Sequence, residues 1–244
     1  MNKENLEDQI RDPQKRLSYY QLVEMDIRKI VEPEIREFVN VNCPNCDTAQ
    51  GNHKYKKGIF DFIQCGKCGT LYVSPRPQKT LLDKYYQNAK AIESFSDILI
   101  ESEAKRLKLF FAPRARQISD YLNEQGVDSG RLLEVGCSIG TMLSLFKKSK
   151  YQLFGIDPDI KASKVARDKY GIEMFTVTLE EYENKERKLY DVVMNFETLE
   201  HVFSPFSFLL KINSIMKQNG HLIFTTPNYY GFDIKVLDEK YKNI

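Results

Sequence analysis

Leu132-Leu133-Glu134-Val135-Gly136-Cys137-Ser138-Ile139-Gly140 is an apolar strand pattern that runs straight into a glycine-bracketed turn and then into a helical pattern. Gly136 and Gly140 carry no Cβ, so the backbone there can turn tightly and approach a ligand closely, while the following helix offers unpaired N–H groups. A second strand pattern, Phe154-Gly155-Ile156-Asp157, ends in a carboxylate seventeen positions beyond Gly140 and is followed by Pro158. An acid so placed suits two ribose hydroxyls, which makes the two strand ends a pocket for one nucleoside-sized ligand. A dinucleotide fingerprint needs glycines at the first, third and sixth positions of the turn. Those positions hold Gly136, Ser138 and Thr141, so a nicotinamide oxidoreductase is disfavoured. The pattern that fits is acidic-x-Gly-x-x-x-Gly, beginning at Glu134.

From Arg131 onward apolar strands alternate with amphipathic helices, the strands falling at 132–135, 153–156, 174–177, 191–196 and 221–226. That alternation predicts an α/β fold with a doubly wound, mostly parallel sheet over residues 127–244. Residues 1–40 read as a helical segment, with Leu22, Val23, Ile27, Ile30 and Val31 on a helical repeat that packs on something downstream. Residues 79–126 read as a helical linker that Pro113 breaks, closed by Gly126. After the fifth strand only eighteen residues follow Thr226. The sheet is therefore expected to stop at that strand, leaving an apolar edge and with it low stability or dimerisation through the edge unless the tail covers it.

Residues 41–78 form a module of another kind. Cys43-Pro44-Asn45-Cys46 and Cys65-Gly66-Lys67-Cys68 are two CxxC pairs with eighteen residues between them, a spacing that suits one four-cysteine zinc site. Each pair makes a tight knuckle, eased by Gly66 and Gly69, and four thiolates fill a tetrahedral zinc shell at about 2.3 Å. A closed shell has no position for water or substrate, so the metal is expected to be structural, holding together a small zinc-ribbon-like β module. Disulfides are disfavoured in a reducing compartment, and a thioredoxin-type redox pair because two CxxC pairs occur without a surrounding redox fold. Ser74-Pro75-Arg76-Pro77 ends the strand 70–73, since proline forbids further pairing.

With 36 basic and 34 acidic side chains the net charge is only +2, and no stretch of 18 apolar residues exists to span a bilayer. The first residues are polar and acidic where a secretory signal would be basic and then apolar, so a cytoplasmic location is expected. The small charge gives no global pull towards nucleic acid, although Lys54, Lys56 and Lys57 form a local basic patch on the cysteine module. A nucleic-acid-binding or scaffold protein with a non-catalytic α/β part is thus the alternative reading.

Tyr190-Asp191-Val192-Val193-Met194-Asn195-Phe196-Glu197-Thr198-Leu199-Glu200-His201-Val202 places its polar residues at the carboxyl end of a strand, where open α/β sheets bind their ligands. If a helix follows Phe196, then Glu197, Glu200 and His201 share one face. They would there bind a divalent cation, or the two carboxylates would orient His201 as a general base. The competing role for Glu200 and His201 is to cap a short helix.

The order of these motifs, from the zinc knuckles through Leu71-Tyr72-Val73-Ser74-Pro75-Arg76-Pro77, the glycine turn, Gly155-Ile156-Asp157-Pro158 and Leu199-Glu200-His201 to Thr226-Pro227-Asn228, resembles class I S-adenosylmethionine-dependent methyltransferases that carry an N-terminal zinc-binding module. The resemblance covers the chain from about Phe38 onward and implies a Rossmann-like domain that lacks the last two strands of the family. It implies that Glu134, Gly136, Cys137, Ser138 and Gly140 hold the amino-acid end of S-adenosylmethionine, that Asp157 and Pro158 hold its ribose, and that Asn195 and Phe196 complete the cofactor site. Ser138 stands where the family usually has a central glycine. Some members bind Mg²⁺ through a Glu-x-x-Glu-His pattern, which Glu197, Glu200 and His201 match. The implied reaction is methyl transfer to a small molecule, with sugar nucleotides, glycans and other metabolites as acceptor classes.

Overall fold

The structure is a computed structural model that describes residues 12–183 and 188–231. The expected helix over residues 1–11 and the part of the 127–244 domain beyond 231 lie outside the described residues. Helix α1 (Pro13–Asp26) starts where Asp12 accepts hydrogen bonds from the N–H groups of Gln14 and Lys15, with proline in the first turn. It runs on through a π-turn (Ile27–Val31) and a 3₁₀ segment (Glu32–Glu37).

The cysteine module is a three-stranded antiparallel sheet, β1 (Gly51–Lys57), β2 (Phe60–Cys65) and β3 (Leu71–Val73), in the order β1-β2-β3. β3 ends at Val73, as expected from the prolines that follow, but one bridge forms beyond it, against the expectation of no further pairing. Arg76 keeps its own N–H, and it exchanges two hydrogen bonds with Val39, at 2.9 and 3.0 Å.

Helices α2 (Lys79–Asn88), α3 (Lys90–Arg106) and α4 (Ala112–Glu124) make the linker. The break expected at Pro113 falls instead at Ala89, which is extended at φ −74°, ψ 125°. Buried Asp26 satisfies the new helix start there by accepting from the Ala91 N–H at 2.7 Å, and α1 packs along α3. Pro113 lies in the first turn of α4, directly after a π-turn (Leu107–Phe111). The wider turn and the first-turn position remove the need for its missing N–H.

The second sheet holds β4 (Ser129–Val135), β5 (Lys150–Ile156), β6 (Glu173–Phe175), β7 (Tyr190–Phe196) and β8 (Met216–Thr225), in the order β6-β5-β4-β7-β8 and all parallel. The third strand is shorter than the expected 174–177, and the fifth starts earlier than 221. Between the strands lie α5 (Thr141–Ser144), α6 (Ile160–Tyr170) and α7 (Pro205–Ile215). Successive strand residues feed opposite faces: Leu132, Val192 and Met194 join Ile118, Leu122 and Leu143 on one side, while Leu133, Val135 and Val193 join Phe208 and Ile212 on the other. The sheet grows outward from β4 in both directions, so its topological switch lies between β4 and β7, the place where such sheets bind ligands. Among the described residues β8 has no strand on its outer side, and no helix is long and apolar enough to cross a membrane.

Candidate functional site

At the carboxyl end of β4 the chain turns through three left-handed residues, Gly136 (φ +75°), Ser138 (φ +48°) and Gly140 (φ +74°). A Cβ on Gly136 would lie 2.2 Å from the hydroxyl of Thr198, in the loop after β7, so the two loops of the switch point touch where only glycine fits. Gly140 has another reason to be glycine: its Cβ would strike Ala166 and Ile172, so it lets α6 pack close rather than admitting a ligand. Cys137 is equally internal. Its buried thiol lies 3.6 Å from the Met174 sulfur, and burial pushes its pKa far up. Only its backbone belongs to the turn.

Glu134 is 4 % exposed and one of its carboxylate oxygens is buried with no partner. Burial first, and then the nearby Asp157 charge, push its pKa well above the carboxylate range, against a hydrogen bond from the Leu143 N–H and the charge of Arg114. Asp157, at the end of β5, accepts from Ser138 N–H at 2.7 Å and Asp159 N–H at 2.9 Å. Burial holds it up at about 6. Pro158 is exposed beside it. A buried acceptor with no donor, a second buried carboxyl and a turn that tolerates no Cβ fit the amino and ribose groups of S-adenosylmethionine, which Glu134, the Gly136–Ser138 backbone and Asp157 would hold.

Asn195, expected to face the cofactor, spends its side-chain amide on the Val135 carbonyl at 2.9 Å and is 1 % exposed, so it ties β7 to β4. Phe196 lies under the guanidinium of Arg114, which sits 5.1 Å from its ring centroid. Arg114 was not singled out by sequence reasoning. It belongs to a helix whose charged residues all look like solvent cover, and only packing brings this one to Phe196 and within reach of Glu134.

The helix expected after Phe196 does not form. Glu197 is left-handed (φ +51°), and Leu199–His201 make a single 3₁₀ turn. Glu197 accepts from the Thr225 hydroxyl at 2.7 Å and Glu200 from that of Thr226 at 3.1 Å, so both carboxylates brace the end of β8. The Glu200 side chain is 23 % exposed against 63 % for His201, and their closest approach is 3.9 Å. Burial raises the pKa of Glu200, with His201 opposing and Glu197 adding. Among the described residues the only set of three or more ligating side chains gathered closely enough for one ion is the cysteine quartet. Glu197, Glu200 and His201 are therefore not assembled around a cation, because the helix that would align them is replaced by a left-handed residue and one tight turn.

The four cysteine sulfurs lie within 4.8 Å of one another. Cys43 and Cys68 approach to 3.5 Å and Cys46 and Cys65 to 3.6 Å, far longer than the ~2.05 Å of a disulfide. They are close to the ~3.8 Å edge of a sulfur tetrahedron drawn around a metal at ~2.3 Å. The knuckles are built alike: Asp47 N–H donates to the Cys43 carbonyl and Gly69 N–H to that of Cys65, at 2.9 and 3.0 Å, with Asp47 (φ +54°) and Gly69 (φ +76°) in matching left-handed turns. The Thr70 hydroxyl, 3.2 Å from its sulfur, together with the Thr70 N–H brings the Cys68 thiol down to about 5, into the thiolate range.

Residues 104–243 match a family described as "Methyltransferase domain". A ubiquinone biosynthesis O-methyltransferase from Rhodopseudomonas palustris strain HaA2 is 32% identical over 118 residues, covering 46% of this chain and 46% of that protein. Its counterpart from Histophilus somni strain 2336 is 33% identical over 119 residues, covering 44% and 50%. The chain thus spans about half the length of the curated relatives it matches. The plantazolicin methyltransferase BpumL, solved with a pentazolic desmethylPZN analog and SAH, superposes with a TM-score of 0.52 at 15% identity, over 66% of this chain and 63% of that one, a likeness of fold. With a parallel sheet of the order seen here, a glycine turn at its switch point and a family match across more than half of its length, the chain belongs to the methyltransferase-domain family.

Proposed function

We propose that this protein transfers the methyl group of S-adenosylmethionine to a small-molecule acceptor. The observation that carries the reading is the unpartnered, buried carboxylate oxygen of Glu134 beside a turn in which Gly136 admits no side chain, both at the switch point of the sheet. A sulfonium methyl is already activated, so the protein's share of the work is alignment and removal of water. When bound, S-adenosylmethionine supplies an electrophilic methyl whose leaving group departs as a neutral thioether. A hydroxyl or amine acceptor forms the new bond to that carbon and must lose a proton. We assign that proton to His201 or to Glu200, whose pKa burial raises and which approaches His201 to 3.9 Å. The O-methyltransferase names of the relatives favour a hydroxyl acceptor; sugar nucleotides, glycans and other metabolites are the classes to screen.

The cysteine quartet is read as a structural zinc site, since all four positions of a tetrahedral shell are filled by protein. The test of the main reading is calorimetric titration of the purified chain with S-adenosylhomocysteine. Micromolar affinity, about −8 kcal/mol, is expected. Absence of binding by a folded protein would discard it.

A further inference from the structure

Among the described residues the cysteine module meets the α/β domain through Arg76 and around Tyr230, next to the loop and strand end that carry Glu200. Arg76, in the turn after β3, donates from Nη2 to the Phe203 carbonyl at 2.5 Å and lays its guanidinium over the Phe203 ring, 4.4 Å from the centroid. Phe203 lies two residues beyond His201, in the same loop as Glu197 and Glu200. On the other side, the Tyr230 hydroxyl reaches the Gly69 carbonyl at 3.4 Å and receives a hydrogen bond from the Gln64 amide at 3.3 Å. Gly69 follows Cys68 directly, and a Cβ there would lie 2.2 Å from that hydroxyl. Tyr230 in turn lies just past Thr226, whose hydroxyl holds Glu200.

Resting on the methyl-transfer reading, we infer that Arg76 is a positioning residue, which fixes the loop of Glu197, Glu200 and His201 through the carbonyl and ring of Phe203. The loop is held from outside itself, at Glu197 and Glu200 by Thr225 and Thr226 and at Phe203 by Arg76. It begins with a left-handed non-glycine residue and contains one 3₁₀ turn, so few of its own backbone hydrogen bonds keep it in shape. Arginine is the residue type that can meet a carbonyl with one edge and a ring with its face at once. A lysine offers the charge without the planar fork. The anchor is itself rigid, because Arg76 is tied by two backbone hydrogen bonds to Val39 and sits between two prolines. The cysteine module is thereby a wall of the acceptor site and not an appendage.

The chain contains no tryptophan, so Phe203→Trp introduces one fluorophore beneath the guanidinium. In that background Arg76→Ala is expected to red-shift the emission and raise the acrylamide quenching constant about twofold or more, with Arg76→Lys between the two. In the chain with its natural Phe203, Arg76→Ala is expected to speed amide hydrogen exchange about tenfold in residues 197–204 while exchange in 132–140 stays as it was. Unchanged emission, quenching and loop exchange in Arg76→Ala would overturn the inference. So would a uniform acceleration across the whole chain, which marks a merely structural residue. Titration with S-adenosylhomocysteine on the same samples separates the two readings: lost cofactor binding in the parent chain discards methyl transfer, whereas intact binding with an indifferent loop discards the role of Arg76 alone.

Discussion

The Ser138 N–H donates to the Asp157 carboxylate at 2.7 Å while Ser138 itself is held in the left-handed region at φ +48°. The bond joins the turn after β4 to the end of β5, so the carboxyl that would face a ribose is oriented by the turn that would face the amino-acid end.

A serine in that conformation is strained by roughly 1–2 kcal/mol relative to glycine. Ser138→Gly keeps the N–H and relieves the strain, at the cost of a more flexible unfolded chain. Net stabilisation of up to about 1 kcal/mol is expected, read as a shift in the urea midpoint at constant slope. A destabilised variant would show that the hydroxyl makes a contact the backbone geometry does not reveal.

Asp157 titrates at about 6 because it is buried. Ribose hydroxyls donate to the ionised carboxylate, so ligand binding favours the charged form. Affinity for S-adenosylhomocysteine should therefore rise as pH climbs through about 6 and fall below it, by up to tenfold per pH unit for one linked proton. Titrations between pH 5 and 8 check this, and a flat profile would remove Asp157 from the ribose site. Asp157→Asn should bind more weakly at pH 7.5 and lose the part of the slope centred near 6, leaving any contribution of Glu134.

Gly136 and Gly140 are both left-handed, yet their surroundings differ. Gly136→Ala drives a methyl into Thr198 at the ligand end of the sheet and is expected to lower S-adenosylhomocysteine affinity at least about tenfold. Gly140→Ala presses on Ala166 and Ile172 in the core; its main effect should be lost stability, about 1–3 kcal/mol. Paired calorimetry and thermal melts distinguish the two, and equal losses of affinity would contradict the packing role of Gly140.

The proposed zinc site, with sulfurs 3.5 and 3.6 Å apart, predicts one zinc per chain. Elemental analysis of the purified protein should find it, and Cys43→Ser should lower the content and loosen β1–β3. Because Arg76 lies in the same module, zinc removal by a chelator is also expected to speed exchange in residues 197–204. Metal-free protein with an unchanged module would leave the cysteines as a packed thiol cluster.

How far the chain was legible before folding depended on the range of the interactions involved. The alternation of apolar strands and helices is local and periodic, so the five parallel strands and their doubly wound order followed from it. The edges of β6 and β8 did not, since strand ends are set by neighbours. Cys43, Cys46, Cys65 and Cys68 could be grouped from spacing alone, because a CxxC knuckle is closed by its own backbone hydrogen bonds. Glu197, Glu200 and His201 do not share the face that a helix after Phe196 would give them, because the left-handed turn at Glu197 is held by Thr225 at the end of β8 and Glu200 by Thr226 just beyond it.

Residue order alone therefore determined the layers of the sheet, the glycine turn after Glu134 and the cysteine quartet, all of which arise within short stretches of chain. Tertiary structure decided what faces the site. It turned Asn195 and Cys137 inward to pack, left one Glu134 oxygen buried without a donor, brought Arg114 over Phe196, and set Arg76 of one module on Phe203 of the other. Contacts between residues tens of positions apart, and more than a hundred in the case of Arg76 and Phe203, leave no periodic trace in a sequence, because only the folded core brings them together.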